Sequence, residues 1–141
     1  MPLPERTNRS FSSLFLTSQG VSIKPLSKND LKAFQERFDD ARGGEVVSLQ
    51  MLTPISFKIA LTVQDKNRAF DWDNLNLEMQ CLTDAKLLDD NALRAVDMQE
   101  GMNINFTQAG IEIGFGSDEY LSSPLRLCAT NLKYEETDFS I

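Results

Sequence analysis

The chain has 141 residues, of which 41% are hydrophobic, and a formal net charge of −7 with no histidine. This length suits one compact domain with a real core. The acidic balance disfavours nucleic acid and anionic membranes as partners, because both bind through clustered Lys and Arg, and the lack of histidine removes the commonest general base and metal ligand.

The first residues predict a tail and then a short hairpin. Residues 1–10 form the tail, and the apolar stretch after it is too short and too polar for a secretory signal. Phe11–Thr17 and Gly20–Pro25 are typical of paired strands. No apolar run approaches the roughly 20 residues that a membrane helix needs, so we expect a cytoplasmic protein. One domain is expected over residues 11–136, with a C-terminal tail at 137–141.

An amphipathic helix is predicted between Ser27 and Gly43. Its apolar residues recur at spacings of three and four and so form one stripe: Leu31, Phe34, Phe38 and Ala41. Ser27 with Asp30 is a carboxylate variant of the capping box, and Gly43-Gly44 supply the positive φ that ends many helices. The stripe indicates that the helix packs on another layer.

That layer is predicted to be a sheet, because apolar and polar residues alternate along several segments. The segments are 46–52, 55–63, 75–81, 102–106, 111–115 and a last strand from Leu125. Thr107–Gly110 is short enough for a hairpin, and a phase shift before Leu132 predicts a bulge. We therefore predict an α+β fold, an antiparallel β-sheet meander with the N-terminal amphipathic helix packed on it and one wet face.

Residues 83–98 leave two interpretations open. They fit a strand, a turn at Asp89-Asp90-Asn91 and a short helix, or else one broken helix.

Cys81 and Cys128 fall in apolar strand patterns without a CxxC partner. We expect both to be free, buried thiols in a reducing compartment.

No sequence motif in the chain indicates a particular enzymatic reaction. The sequence has no nucleophile elbow, phosphate-binding loop, dinucleotide fingerprint or zinc-ligand spacing. Asp84-Ala85-Lys86, with Asp71 or Asp73 upstream, resembles the D…(D/E)xK spacing of Mg²⁺-dependent nucleases, but basic residues that would hold a nucleic acid are scarce in this half. Asp71-Trp72-Asp73 lacks the further oxygen ligands and glycine of a calcium loop. We expect a non-enzymatic protein without metal or cofactor.

Most carboxylates lie in the second half of the chain. Residues 1–68 carry ten Lys/Arg and seven Asp/Glu, a balance of +3, whereas residues 69–141 carry four and fourteen, a balance of −10. Loops hold most of these acids. Loops at one sheet edge could gather them within a Debye length, about 8–10 Å, and so speed association with a cationic protein.

The predicted partner-binding face combines loop acids with two aromatic residues, the composition of an interface hot spot. Its residues are Asp71, Trp72, Asp73, Asp89, Asp90, Asp118, Glu119 and Tyr120. Other roles stay open for some of them. Trp72 also fits a core residue at a strand entrance, and the acids also fit turn caps or plain solubilising charge.

Residues 75–136 resemble a known family in the order of their elements. A strand is followed by Leu82–Leu88, a short linker, Gly101, a hairpin and a closing strand that ends with Leu132–Glu136. This layout is similar to the small, acidic, β-rich immunity proteins that bacteria encode beside polymorphic or contact-dependent toxins. The resemblance implies a non-enzymatic protein that binds a cognate toxin domain and blocks its active site. It assigns no role to any numbered residue. The acidic charge of the chain separately favours a toxin or effector with a basic surface.

Two other functions stay open. A secretion chaperone is also small and acidic, but it holds an unfolded effector segment through apolar patches. A nuclease would use Asp84 with Asp71 or Asp73 to hold Mg²⁺.

Overall fold

The computed structural model describes residues 23–138, which form one antiparallel sheet with a helix packed on it. The strands in this range are β1 (Lys24–Pro25), β2 (Glu45–Thr53), β3 (Ser56–Asp65), β4 (Asp71–Lys86), β5 (Met102–Thr107), β6 (Gly110–Phe115) and β7 (Leu125–Asp138). The helices are α1 (Leu31–Phe38), between 3₁₀ turns at Lys28–Asp30 and Asp39–Ala41, and the one-turn α2 (Asp90–Leu93). A further 3₁₀ turn, Lys66–Arg68, joins β3 to β4. The predicted α+β class is confirmed.

Neighbouring strands follow the order β2-β3-β4-β7-β6-β5, and β1 pairs with β7. The predicted meander holds within each half, β2-β3-β4 and β5-β6-β7, and the pairing of β4 with β7 joins the halves. This central pair runs from Asp73 opposite Asp138 to Lys86 opposite Arg126. β4 therefore extends from one end of the sheet to the other.

Alternation decides which side chains of the central strands face the core. Six residues of β3 and β4 are at most 1% exposed: Ile59, Leu61, Val63, Leu75, Leu77 and Met79. Burial of each such side chain stabilises the fold by roughly 1.5–3 kcal/mol relative to leaving it in water. Residues between them, such as Lys58 and Glu78, lie on the opposite, wet face.

Helix α1 packs its apolar stripe on this core. Phe34 and Phe38 are buried with ring centroids 5.1 Å apart, and Phe34 meets Tyr134 of β7 edge to face at 5.0 Å. The predicted helix between 27 and 43 is confirmed as a helical segment, although only Leu31–Phe38 is α-helical. The sheet-packed helix is thus where the sequence predicts it.

Both ends of the helix differ from the sequence prediction. At the start, the Ser27 hydroxyl donates to Asp30 Oδ2 at 2.8 Å, and the Ser27 side chain accepts no backbone amide, so the predicted capping box is wrong. At the other end, the chain turns before the two glycines, through left-handed residues. These are Asp39, Asp40 and Ala41, with φ of 51°, 52° and 60°.

Close backbone packing explains where the helix ends. A Cβ on Gly101 would lie 2.2 Å from the carbonyl oxygen of Asp40, so the two backbones are in direct contact. Gly43 N also donates to the carbonyl oxygen of Met98 at 2.9 Å. A left-handed conformation costs a non-glycine residue roughly 1–2 kcal/mol, and these tertiary contacts offset that cost.

Residues 83–98 adopt the first of the two predicted orders, a strand followed by a short helix, but Asp90 and Asn91 of the predicted turn belong to α2. β4 covers the beginning of this segment, and α2 follows after a short turn. Asp89 caps α2, because its Oδ1 accepts a hydrogen bond from Ala92 N at 2.8 Å. Leu93 and Met98 are then buried, so the segment covers part of the core.

The predicted bulge before Leu132 of β7 is wrong, since the irregularity lies in β4. There Leu82 and Asp84 face Ala129 and Cys128, which are consecutive in β7, so β4 holds the extra residue. Extra residues bend a strand and interrupt its alternation.

The two cysteines are free, but only one is buried. Cys128 is buried as predicted, whereas Cys81 is exposed. Cys81 has a φ of 59°, and this left-handed backbone removes its side chain from the alternation of β4. The prediction of a buried thiol at Cys81 is therefore wrong.

The predicted N-terminal tail and most of the hairpin at 11–25 lie outside the described residues. Within the hairpin range, Lys24–Pro25 forms β1 and pairs with β7. At the other end of the chain, β7 continues to Asp138, two positions past the predicted domain limit at 136.

Candidate functional site

The predicted partner-binding residues fall into separate regions. Asp71, Trp72 and Asp73 begin β4, whereas Asp118–Tyr120 lies in the loop between β6 and β7, beside the far end of β4. Asp84 lies 13 positions after Asp71, which at about 3.3 Å per residue corresponds to roughly 40 Å of strand. This exceeds a Debye length of about 8–10 Å severalfold. The two groups do not form one acidic face.

Asp73 is a buried member of an ionic cluster and does not lie on a docking surface. We define the ionic cluster as Arg37, Asp65, Arg68, Asp73 and Glu136. Asp65 and Asp73 are 0% and 2% exposed. Arg37 pairs with Asp65 and Glu136, and Arg68 pairs with Asp73. The cluster therefore connects α1, the β3–β4 connection and β7.

The two aspartates of the cluster differ in acidity. Burial and a hydrogen bond with Asp65 raise the pKa of Asp73 to about 6. Burial would also raise the pKa of Asp65, but hydrogen bonds from Arg37 and from Asp73 outweigh it and lower that pKa to about 2. Asp73 thus holds a proton that it donates to Asp65 in mildly acidic solution. Its position and partners indicate a structural role.

Trp72 is on the wet face and not in the core. It is 40% exposed, which overturns the interpretation of this residue as a core side chain. Its ring borders an open cavity of about 370 Å³, which Gly43, Gly44, Glu45 and Thr62 also line. Asp71, one residue earlier, is exposed.

Asp89 and Asp90 belong to the start of α2. The carboxylate of Asp89 is engaged in capping, as the turn interpretation predicts, and Asp90 is the first residue of the helix. Neither residue is in the loop that contains Tyr120.

The structure brings other acids to the loop at the far end of the sheet. Asp84 of β4 and Glu112 of β6 both lie opposite Cys128 of β7, so the three side chains form a row across three adjacent strands. The ring of Tyr120 lies 5.8 Å from the guanidinium carbon of Arg126, the second residue of β7. We call Asp84, Glu112, Asp118, Glu119 and Tyr120 the Tyr120 surface.

Two acids of this surface, Asp84 and Glu112, influence the ionisation of Tyr120. Partial burial raises the pKa of Tyr120, and the nearby Cys128, Asp84 and Glu112 raise it further. Arg126 acts in the opposite direction. The Tyr120 phenol is therefore near carboxylates of two separate strands, in agreement with the pairing of Asp84 and Glu112 with Cys128.

Hydrogen bonds hold the loop of the Tyr120 surface in place. Asn103 Nδ2 donates to the carbonyl oxygen of Ser117 at 2.9 Å and to Ser123 Oγ at 3.0 Å. Ser123 Oγ donates in turn to the carbonyl oxygen of Glu119 at 2.7 Å. Arg126 Nη1 donates to the carbonyl oxygens of Leu121 and Ser123, both at 3.2 Å. The loop is therefore fixed from β5 and from β7.

Sequence reasoning missed Glu112 as a site residue and considered Asp84 only as a metal ligand. The hairpin pattern correctly places Glu112 on the face opposite Ile111 and Ile113. The pairing of β6 and β4 with the same stretch of β7 has no local signal, and this pairing brings the two acids together.

The nuclease arrangement is not formed. Asp84 and Asp73 lie 11 positions apart on one strand, roughly 35 Å at about 3.3 Å per residue, so they cannot hold one ion. Across residues 23–138, no group of three His, Cys, Asp or Glu side chains is placed to bind a metal.

In the same described range, no helix is long and apolar enough to cross a membrane.

Comparison with known proteins gives no relative from which a function could be inferred, so function is inferred from the residues of this chain. No protein-family model, no curated protein and no solved structure matches this chain.

Proposed function

We propose that this chain is a non-enzymatic acidic binding protein of the immunity type, which binds a toxin domain with a basic surface and blocks it in the cytoplasm. The observation that carries the proposal is the Tyr120 surface, where strand pairing places Asp84 of β4 and Glu112 of β6 on one face, near the aromatic ring of the β6–β7 loop. Aromatic side chains bordered by charge are typical of interface hot spots.

The charge of this surface favours a cationic partner. Asp84, Glu112, Asp118 and Glu119 give −4, and Lys86 with Arg126 give +2, so the local balance is −2. Arg126 donates to two backbone carbonyls of the loop, so part of its donor capacity is used within the protein. Complementary charge raises the rate of encounter and selects against wrong partners.

The fixed loop supports binding in a second way. Because Asn103, Ser123 and Arg126 already hold the backbone of the loop, docking would order few additional groups. A preorganised surface loses less conformational entropy on association than a mobile one. Leu121, 80% exposed in the same loop, adds an apolar contact beside the acids.

The test is binding and rescue with the toxin domain encoded by the gene directly upstream. The Asp118→Lys/Glu119→Lys variant should associate about tenfold more slowly than the wild type, with a larger effect at low salt. The matched control is Glu36→Lys/Glu100→Lys, which makes the same charge change at exposed positions outside the surface. Equal association rates for the two variants, or cells that are not rescued by the wild type, would overturn the proposal.

A secretion chaperone is the second candidate, and one observation favours it. β2 is the outermost strand of the sheet that residues 23–138 form, and four large apolar residues in or beside it are exposed by 41–61%: Val47, Met51, Leu52 and Ile55. Exposed apolar side chains at a sheet edge can hold an unfolded segment or a second copy of the chain. A chaperone should dimerise and protect the amino-terminal segment of an effector from protease, and Met51→Lys should weaken both.

A further inference from the structure

We propose that the open cavity beside Trp72 binds the guanidinium group of an arginine side chain on a protein partner. Its volume of about 370 Å³ lies near the lower limit of small ligand sites, about 300–1,000 Å³. The cavity is at the opposite end of β4 from the Tyr120 surface. The inference therefore names a second site and does not rest on the proposed function.

Two glycines line one side of the cavity. A Cβ on Gly43 would meet no atom within 4 Å, so this part of the wall is open. A Cβ on Gly44 would lie 2.3 Å from the carbonyl oxygen of Thr62, so the backbone packs directly on β3 at that point. Since glycine has no side chain, the backbone itself lines the cavity at Gly43 and Gly44.

The ring of Trp72 gives the cavity an aromatic wall. Strand register places Trp72 opposite Gln64, on the wet face, and 40% of Trp72 is exposed. Within the described residues, its indole N–H has no hydrogen-bond acceptor. Tryptophan is the aromatic side chain that attracts a cation most strongly.

Glu45 gives the cavity an unpaired carboxylate. It is exposed, and it makes no ion pair or side-chain hydrogen bond with any residue in the described range. The neighbouring cation Arg42 is paired with Asp39 and Asp40. Among residues 23–138, no cation pairs with the Glu45 carboxylate.

An aromatic face beside a carboxylate matches arginine better than lysine. A guanidinium is planar, so it stacks on a ring while its N–H groups donate two parallel hydrogen bonds to a carboxylate. An ammonium is a compact, strongly hydrated charge that cannot do both. The net charge of −7 would further attract a basic segment of a partner.

The single tryptophan of the chain makes the test direct. The isolated protein would be titrated with a blocked tetra-arginine peptide at about 0.15 M salt, and emission from Trp72 would be recorded. We expect a saturable change, and no such change with the uncharged tetra-citrulline peptide. Glu45→Gln should weaken binding about two- to fivefold, the range for one exposed ion pair. The matched control Glu100→Gln should leave it unchanged.

Three results would overturn the inference. They are the absence of a saturable response to the arginine peptide, an equal effect of Glu45→Gln and Glu100→Gln, and binding of a tetra-lysine peptide as tight as that of tetra-arginine. Trp72→Leu lacks the reporter, so its loss of binding would be followed from the NMR signals of the peptide. Because no toxin is present, the result is independent of the test of the Tyr120 surface.

Discussion

Arg37 of α1 binds Asp65 at the end of β3 through two parallel hydrogen bonds, from Nε to Oδ1 at 2.8 Å and from Nη2 to Oδ2 at 2.7 Å. Nη2 also donates to Glu136 Oε1 of β7 at 2.8 Å. One guanidinium thus fastens the helix to two strands that are not neighbours in the sheet. Asp65 is fully buried, so its charge depends on this partner.

Replacing Arg37 by Met should destabilise the protein by about 2–4 kcal/mol, because a buried carboxylate is left without its main partner. The free energy of unfolding would be measured by urea denaturation at pH 7. Arg94→Met is the control, since Arg94 is exposed and forms no ion pair within residues 23–138. Equal stability of the two variants would contradict the structural role of the ionic cluster.

The shifted pKa of Asp73 predicts that stability depends on pH. The folded value of about 6 lies above the ordinary 3.8, so the stabilisation from this proton is fully present below pH 3.8 and is lost as pH rises through 6. Asp65 acts in the opposite direction. Its folded pKa of about 2 is depressed, so its contribution is present above pH 3.8 and is lost as pH falls through 2.

Asp73→Asn should remove the first of these effects. Relative to the wild type, the variant should gain on the order of 1–3 kcal/mol of stability between pH 4 and pH 7, since it cannot lose that proton. Urea denaturation at both pH values measures the difference. Asp71→Asn is the control for loss of an exposed carboxylate from the same strand. An unchanged slope of stability against pH in Asp73→Asn would show that another group titrates.

The strands were predictable because their signal is local. Two-residue alternation identifies 55–63 and 75–81, and the structure has β3 at 56–65 and β4 at 71–86. Prediction failed where a distant contact overrides local preference. Asp40 has a left-handed backbone where the Gly101 backbone lies against it, and the residues next to Asp40 in the sequence do not indicate this contact.

The candidate site was less predictable for the same reason. Asp73 looks like a surface acid in the sequence, but it is buried beside Asp65 and pairs with Arg68. Arg37, far earlier in the chain, completes their cluster. Only the composition of the site, carboxylates with an aromatic residue, was accessible from the sequence. Which acids meet depends on strand pairing across the sheet.

Gly101 and Gly43 allow backbone strain and steric overlap to be separated. Both have a φ of +75°, but a Cβ would overlap Asp40 O at Gly101 and would meet nothing within 4 Å at Gly43. Gly43→Ala should therefore lower the free energy of unfolding only by the cost of a left-handed backbone at a non-glycine residue, roughly 1–2 kcal/mol. Gly101→Ala should cost clearly more, about 3–5 kcal/mol, because backbone atoms must move apart. Thermal and urea unfolding of both variants measure the difference, and equal losses would show that the contact between Gly101 and Asp40 is loose.

The exposure of Cys81 predicts that the two thiols differ in reactivity. Cys81 is open to solvent, whereas Cys128 is 7% exposed between β4 and β6. An accessible thiolate attacks the disulfide of Ellman's reagent, forms a mixed disulfide and releases thionitrobenzoate. At pH 8 the native protein should therefore release one equivalent of thionitrobenzoate quickly and the second only after unfolding in urea. Cys81→Ser should abolish the fast phase and leave the slow one, while Cys128→Ser should do the reverse. A fast phase that survives in Cys81→Ser would mean that the β7 thiol is reached without unfolding, and that the sheet opens around Cys128 in the native protein.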